Sequence, residues 1–105
     1  MKRILWPILI FLFFGTGQVA FTEVSGDCRW KGIPLYGKVK VVDSFPDFKV
    51  EIVRSFPDLK VKKVTSFADR CGEWTFVDSF PDFTIKFVNS FPDIKIKYVN
   101  SFPGV

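Results

Sequence analysis

Five aspartates recur at spacings of 11, 11, 13 and 11 residues: Asp47, Asp58, Asp69, Asp82 and Asp93. Carboxylates on a fixed period are how glycine-rich parallel β-rolls hold calcium, and a calcium cage needs about 6 to 8 oxygen ligands. Here the glycines are missing and Pro precedes four of the five, so each Asp is read as a turn-former that bonds nearby backbone. Lysines recur as well: Lys49, Lys60 and Lys95, with Lys62, Lys86 and Lys97 beside them. Such columns could bind lipopolysaccharide, anionic lipid or nucleic acid. They are read instead as the solvated face of strands, where Lys also discourages edge-to-edge pairing. The third column is aromatic: Phe45, Phe56, Phe67, Phe80, Phe91 and Phe102. Bases or sugars could stack on it, but its regular place beside Pro and Val points to core packing, and these six are expected to form the repeat core.

The chain has no His, which removes Ser-His-Asp and Cys-His catalysis and His-ligated metals from consideration. No enzyme activity and no cofactor are expected. Its 105 residues hold one domain at most, and with 48% hydrophobic and 18% aromatic residues disorder is excluded. Lys2 and Arg3, an apolar run over residues 4–14, then Gly15, Thr16 and Gly17 follow the order of a secretory signal peptide. Cleavage is expected after Gly17, with Ala20 as the alternative. Eleven apolar residues rise about 16 Å as a helix against a hydrocarbon core of about 30 Å, so no transmembrane span is expected in the mature form. Export to a bacterial-type periplasm or to the medium follows. Removing residues 1–17 leaves thirteen basic and eleven acidic residues, a net charge of +2. That is too small for a nucleic-acid partner.

Two cysteines remain, Cys28 and Cys71. In an oxidising compartment an even count reads as one disulfide, closing a loop that the chain-entropy model values at about 4 kcal/mol. The runs Asp27-Cys28-Arg29-Trp30 and Asp69-Arg70-Cys71-Gly72-Glu73-Trp74 look alike. Trp30 and Trp74 are therefore expected to pack around the bridge.

What must position these residues is an eleven-residue repeat over residues 38–105, preceded by a segment at 18–37. The units are SFPDFKVEIVR, SFPDLKVKKVT, SFADRCGEWTFVD, SFPDFTIKFVN, SFPDIKIKYVN and a closing SFPGV, with KVKVVD as the tail of an earlier one. An eleven-residue period also suits a right-handed coiled coil, but a Pro in nearly every unit would cost a helix about 3 kcal/mol each time. Between the prolines the residues alternate as strands do. Phe48, Val50 and Ile52 share one face, Lys49 and Glu51 the other; Phe83, Ile85 and Phe87 repeat the pattern against Thr84 and Lys86. Each unit is one short strand and one corner, and an all-β fold follows. By periodicity alone it would be an antiparallel meander or a small β-solenoid.

The ordered run of SFPDxKVKxV units, one of them interrupted before EWTFVDSFPDF, and the short SFPG ending resemble the septoil-knot family. The resemblance implies a compact all-β fold whose short strands interlock as a seven-crossing torus knot; it brings no activity and no catalytic residue. Ala68 in place of Pro, and the Arg70-Cys71-Gly72 interruption, depart from the pattern. Together these readings point to a small exported structural or interaction protein. The alternative is a binder of anionic envelope polymers through the Lys faces.

Overall fold

The computed structural model describes residues 24–105; the expected leader and both cleavage sites lie outside them. Among the described residues the strands are β1 (Arg29–Trp30), β2 (Ile33–Pro34), β3 (Gly37–Val41), β4 (Phe48–Ile52), β5 (Leu59–Lys63), β6 (Glu73–Phe76), β7 (Phe83–Phe87) and β8 (Ile94–Tyr98). The period-two alternation is what places them. Phe48 and Val50, Leu59 and Val61, Phe83 and Ile85, and Ile94 and Ile96 are buried, while the lysines between them, Lys49, Lys60 and Lys95, are exposed.

Strands β3 to β8 close into a barrel in the order β3-β6-β5-β8-β4-β7, and every pairing within it is parallel. The antiparallel meander is thereby excluded. Parallel neighbours ordinarily need a crossover of a dozen or more residues, because the chain must return along the whole strand. Here residues 42–47 suffice, and the register explains why: Val41 and Phe48 are both aligned with Ile85, from opposite sides of β7. The chain does not go back; it steps sideways over one strand, a distance of about 10 Å. The same step crosses β8 between Ile52 and Leu59, both aligned with Ile96. It crosses β3 between Phe76 and Phe83, both aligned with Val39, and β4 between Phe87 and Ile94, both aligned with Val50. Units distant in sequence are thus strapped over one another.

The closing unit supplies no full strand. Gly104 forms a two-way backbone bridge with Lys60, each N–H donating to the other's carbonyl at 2.9 Å.

One end of the barrel is capped. The hairpin of β1 and β2 sets Trp30 against Phe48, with ring centroids 5.4 Å apart, and the rings continue through Phe83 to Trp74 at 5.2 and 5.6 Å. Leu35 is fully buried, and its carbonyl accepts from both the Trp74 indole and the Gly72 N–H. At the other end, where the strands finish, Val41, Ile52, Phe76 and Phe87 stay 36–52% exposed. Ile52 and Phe87 continue the inward column as expected, but they emerge at the mouth rather than inside it.

Candidate functional site

The corner at residues 42–47 shows how a connection is fixed. As the chain leaves β3, the Val42 N–H donates to the Ile85 carbonyl at 2.8 Å; as it arrives, the Asp47 N–H donates to the Thr84 carbonyl at 3.0 Å. Thr84 returns its own N–H to the Asp47 carboxylate at 2.8 Å. Both ends of the corner are stitched to the strand it crosses, and residues 43–46 stand outside that strand.

This layering corrects the reading of the aromatic column. Phe45, Phe56, Phe67, Phe80, Phe91 and Phe102 are not core: they are 87–96% exposed. A crossed strand lies between each regular corner and the barrel interior, so the side chain has no inward path. All six also hold φ between +54° and +57°, the left-handed region, which a bulky residue enters at a cost of about 1–2 kcal/mol. No local signal separated the two readings, because strand alternation does not carry through a corner whose Phe is at left-handed φ.

The aspartates are a second correction. Four of the five, Asp47 included, are tertiary clamps rather than turn-formers alone: Asp58 accepts the Lys95 N–H at 2.9 Å, Asp82 the Lys38 N–H at 2.7 Å and Asp93 the Lys49 N–H at 2.8 Å. Each partner lies 37 or 44 residues away. Their carboxylates are dispersed around the barrel, and among the described residues no three acidic, Cys or His side chains gather as metal ligands. The lysines are likewise distributed over the outer wall, but the register sets Lys49 beside Lys86 and Lys60 beside Lys97. Lys63 places its ammonium 4.4 Å from the Tyr98 ring, and burial pushes the Tyr98 hydroxyl pKa up.

The interrupted unit is built differently. Cys28 and Cys71 are bonded, with Cα atoms 5.8 Å apart, which ties the capping hairpin to residues 64–72. Trp30, Trp74 and Cys28 share one buried cluster with Cys71 packed against it, as their similar surroundings in sequence suggested. Ala68 stands where the other corners have Pro, and the Asp69 N–H turns back to the Phe67 carbonyl at 2.9 Å. Its carboxylate clamps no strand. Sequence reasoning grouped Asp69 with the other four; the loss of Pro before Asp69 was the available sign.

A family model described as the 7(1) septoil knot domain matches residues 32–105. The chain is also 58% identical over 67 residues to the uncharacterized protein slr1025 of Synechocystis sp. (strain ATCC 27184 / PCC 6803 / Kazusa). That alignment takes in 63% of this chain and 60% of the relative, so the chain spans about three-fifths of the relative's length. The chain belongs to the septoil-knot domain family.

Proposed function

We propose that this member of the septoil-knot family is an exported, non-enzymatic interaction module that holds its partner through the corner phenylalanines. The observation that carries this is six solvent-exposed Phe rings on strained backbone. Asn or Gly would make the same left-handed corner at lower cost. The first buried residue of the strand varies from unit to unit, as Phe48, Leu59, Phe83 and Ile94, yet the corner residue is Phe in all six. Packing therefore tolerates exchange where the corner does not, and aromatic rings are the side chains in which interface cores are enriched. The leader-like residues 1–17 and a disulfide of the kind that persists in oxidising compartments support export.

A second reading rests on the register that sets Lys49 beside Lys86 and Lys60 beside Lys97: paired cations on the outer wall would hold anionic envelope polymers. One experiment separates the two. Cells expressing the wild type and a variant with Phe45, Phe56, Phe80 and Phe91 all changed to Asn are fractionated at low and high salt. The proposal expects the wild type with the envelope at both salt concentrations and the variant, still folded, in the soluble exported fraction. Release of the wild type by salt would favour the polymer reading, since exposed charges are screened. An unchanged distribution of the variant would sink the phenylalanine reading.

A further inference from the structure

The two ends of the barrel are finished differently. At the capped end the first inward residues of β4, β5, β7 and β8, namely Phe48, Leu59, Phe83 and Ile94, are at most 2% exposed. At the open end the strands finish on Val41, Ile52, Lys63, Phe76, Phe87 and Tyr98, each two residues past a fully buried side chain. Val41, Ile52, Phe76 and Phe87 are partly exposed there, Tyr98 is half-buried, and Lys63 folds its ammonium over the Tyr98 ring. The core thus runs out into solvent through an apolar mouth. Next to it along the chain stand six cations, Lys40, Arg54, Lys62, Lys63, Lys86 and Lys97, against the three carboxylates of Asp43, Glu51 and Asp78. The corner phenylalanines encircle the same end. Phe45, Phe56, Phe80 and Phe91 stand outside β7, β8, β3 and β4, level with the inward residues Ile85, Ile96, Val39 and Val50, one layer below the mouth. Phe102 stands outside β5, where the Val99 and Gly104 N–H groups donate to the Val61 and Lys60 carbonyls at 2.8 and 2.9 Å.

We infer that the protein docks mouth-down on an anionic lipid bilayer, its apolar rim at the acyl boundary, the cations at the phosphates and the corner phenylalanines as a girdle among the headgroups. This rests on the reading that the corner phenylalanines hold the partner. A partner lying against the side of the barrel reaches only the rings on that side, whereas an interface into which the mouth end sinks meets the whole girdle and the mouth together. The order of groups is that of interfacial proteins, with apolar side chains in the headgroup and acyl boundary, Lys and Arg beside them, and aromatic rings at headgroup level. The excess of cations selects anionic headgroups. It also opposes a second copy on the mouth, since two mouths would bring like charge together, and six rim side chains supply far less than the roughly 800 Å² per partner of a stable interface. The barrel rests in the interface and does not span the bilayer, because the outward face of its wall carries Lys38, Lys49, Lys60 and Lys95.

The test is co-sedimentation of the oxidised protein with vesicles of phosphatidylglycerol and phosphatidylcholine in equal parts and, separately, of phosphatidylcholine alone. Saturable binding to the mixed vesicles is expected, several-fold weaker binding to phosphatidylcholine, and a preference that high salt narrows without abolishing binding. Ile52→Ser with Phe87→Ser should weaken binding to both kinds of vesicle more than about tenfold. Lys86→Glu with Lys97→Glu, at exposed positions that spare the fold, should weaken it about tenfold on the mixed vesicles alone. The variant with Phe45, Phe56, Phe80 and Phe91 changed to Asn should lose binding to both. Wild-type protein that stays with the cell envelope but ignores both kinds of vesicle overturns the lipid inference and leaves the corner reading standing. A corner variant that stays with the envelope overturns the corner reading and this inference with it. Equal vesicle binding by either double variant, or a dimer formed without lipid that Ile52→Ser with Phe87→Ser abolishes, overturns the mouth-down docking.

Discussion

Residues 42–47 and residues 64–72 each carry the chain from one barrel strand to another, and they are held by different means. The first connection is short and anchors itself: two backbone bonds and the Asp47 carboxylate fasten it to the strand it crosses. The second has lost the Pro, and its aspartate clamps nothing; a disulfide to the capping hairpin holds it instead. The difference teaches what the aspartate does. Where it is spent as a clamp, both ends of the corner are fastened to the crossed strand and its Phe is left in solvent. Where it is not, the wall opens into a hollow lined by Phe67, Ala68 and Asp69.

The largest expected effect lies on the covalent side. Replacing Cys28 and Cys71 together by Ser should cost about 4 kcal/mol in denaturant unfolding, with amide exchange rising over residues 24–36 and 64–72 but not over 42–47. A uniform rise would mean that the two kinds of corner are not separately anchored.

Next comes Gly72, which sits against the closing unit with φ +83°; an added Cβ would overlap the Lys60 carbonyl oxygen and meet the Gly104 nitrogen at 2.8 Å. Gly72→Ala is expected to cost about 3 kcal/mol, because the atoms it strikes are backbone. Gly26→Ala, with open space around it, should stay within about 0.5 kcal/mol. Comparable melting temperatures for the two variants would contradict the tight seating of Gly104.

The clamp comparison is smaller and more specific. Asp82→Ala removes the acceptor of the Lys38 N–H and should cost about 2 kcal/mol, whereas Asp69→Ala should change stability by less than about 0.5 kcal/mol. Equal costs in chemical denaturation would show that the two aspartates share a role after all. Smallest of all, Phe80→Asn should raise stability by about 0.5 kcal/mol, since Asn tolerates the left-handed backbone and no buried contact is lost. A clear fall in melting temperature would return the phenylalanines to a packing role.

Much of the barrel was legible before its structure. The shared faces of Phe48 with Val50 and of Phe83 with Ile85 follow from alternation, and the pairing of Cys28 with Cys71 from an even cysteine count and the expected oxidising compartment. The corner phenylalanines were misread because regular spacing beside Val looks the same whether a ring turns in or out. The aspartates were misread because a clamp on a strand 37 or 44 residues away leaves the same local signature as a turn.

By itself, then, the sequence determined the properties that local chemistry controls: short strands, the alternation of their two faces, the corners between them, and where the repeat breaks. Strand alternation and proline act within a few residues, so no other part of the chain is needed to read them. Only the tertiary structure decided which unit lies beside which, that all the barrel strands run parallel, and that each regular corner passes over a strand and so turns its Phe to solvent. The reason is degeneracy. Units so alike offer nearly the same faces to one another, so local sequence does not choose their partners. Closure of the whole barrel does, by admitting one register in which Val41 and Phe48 meet the same residue, Ile85, from its two sides.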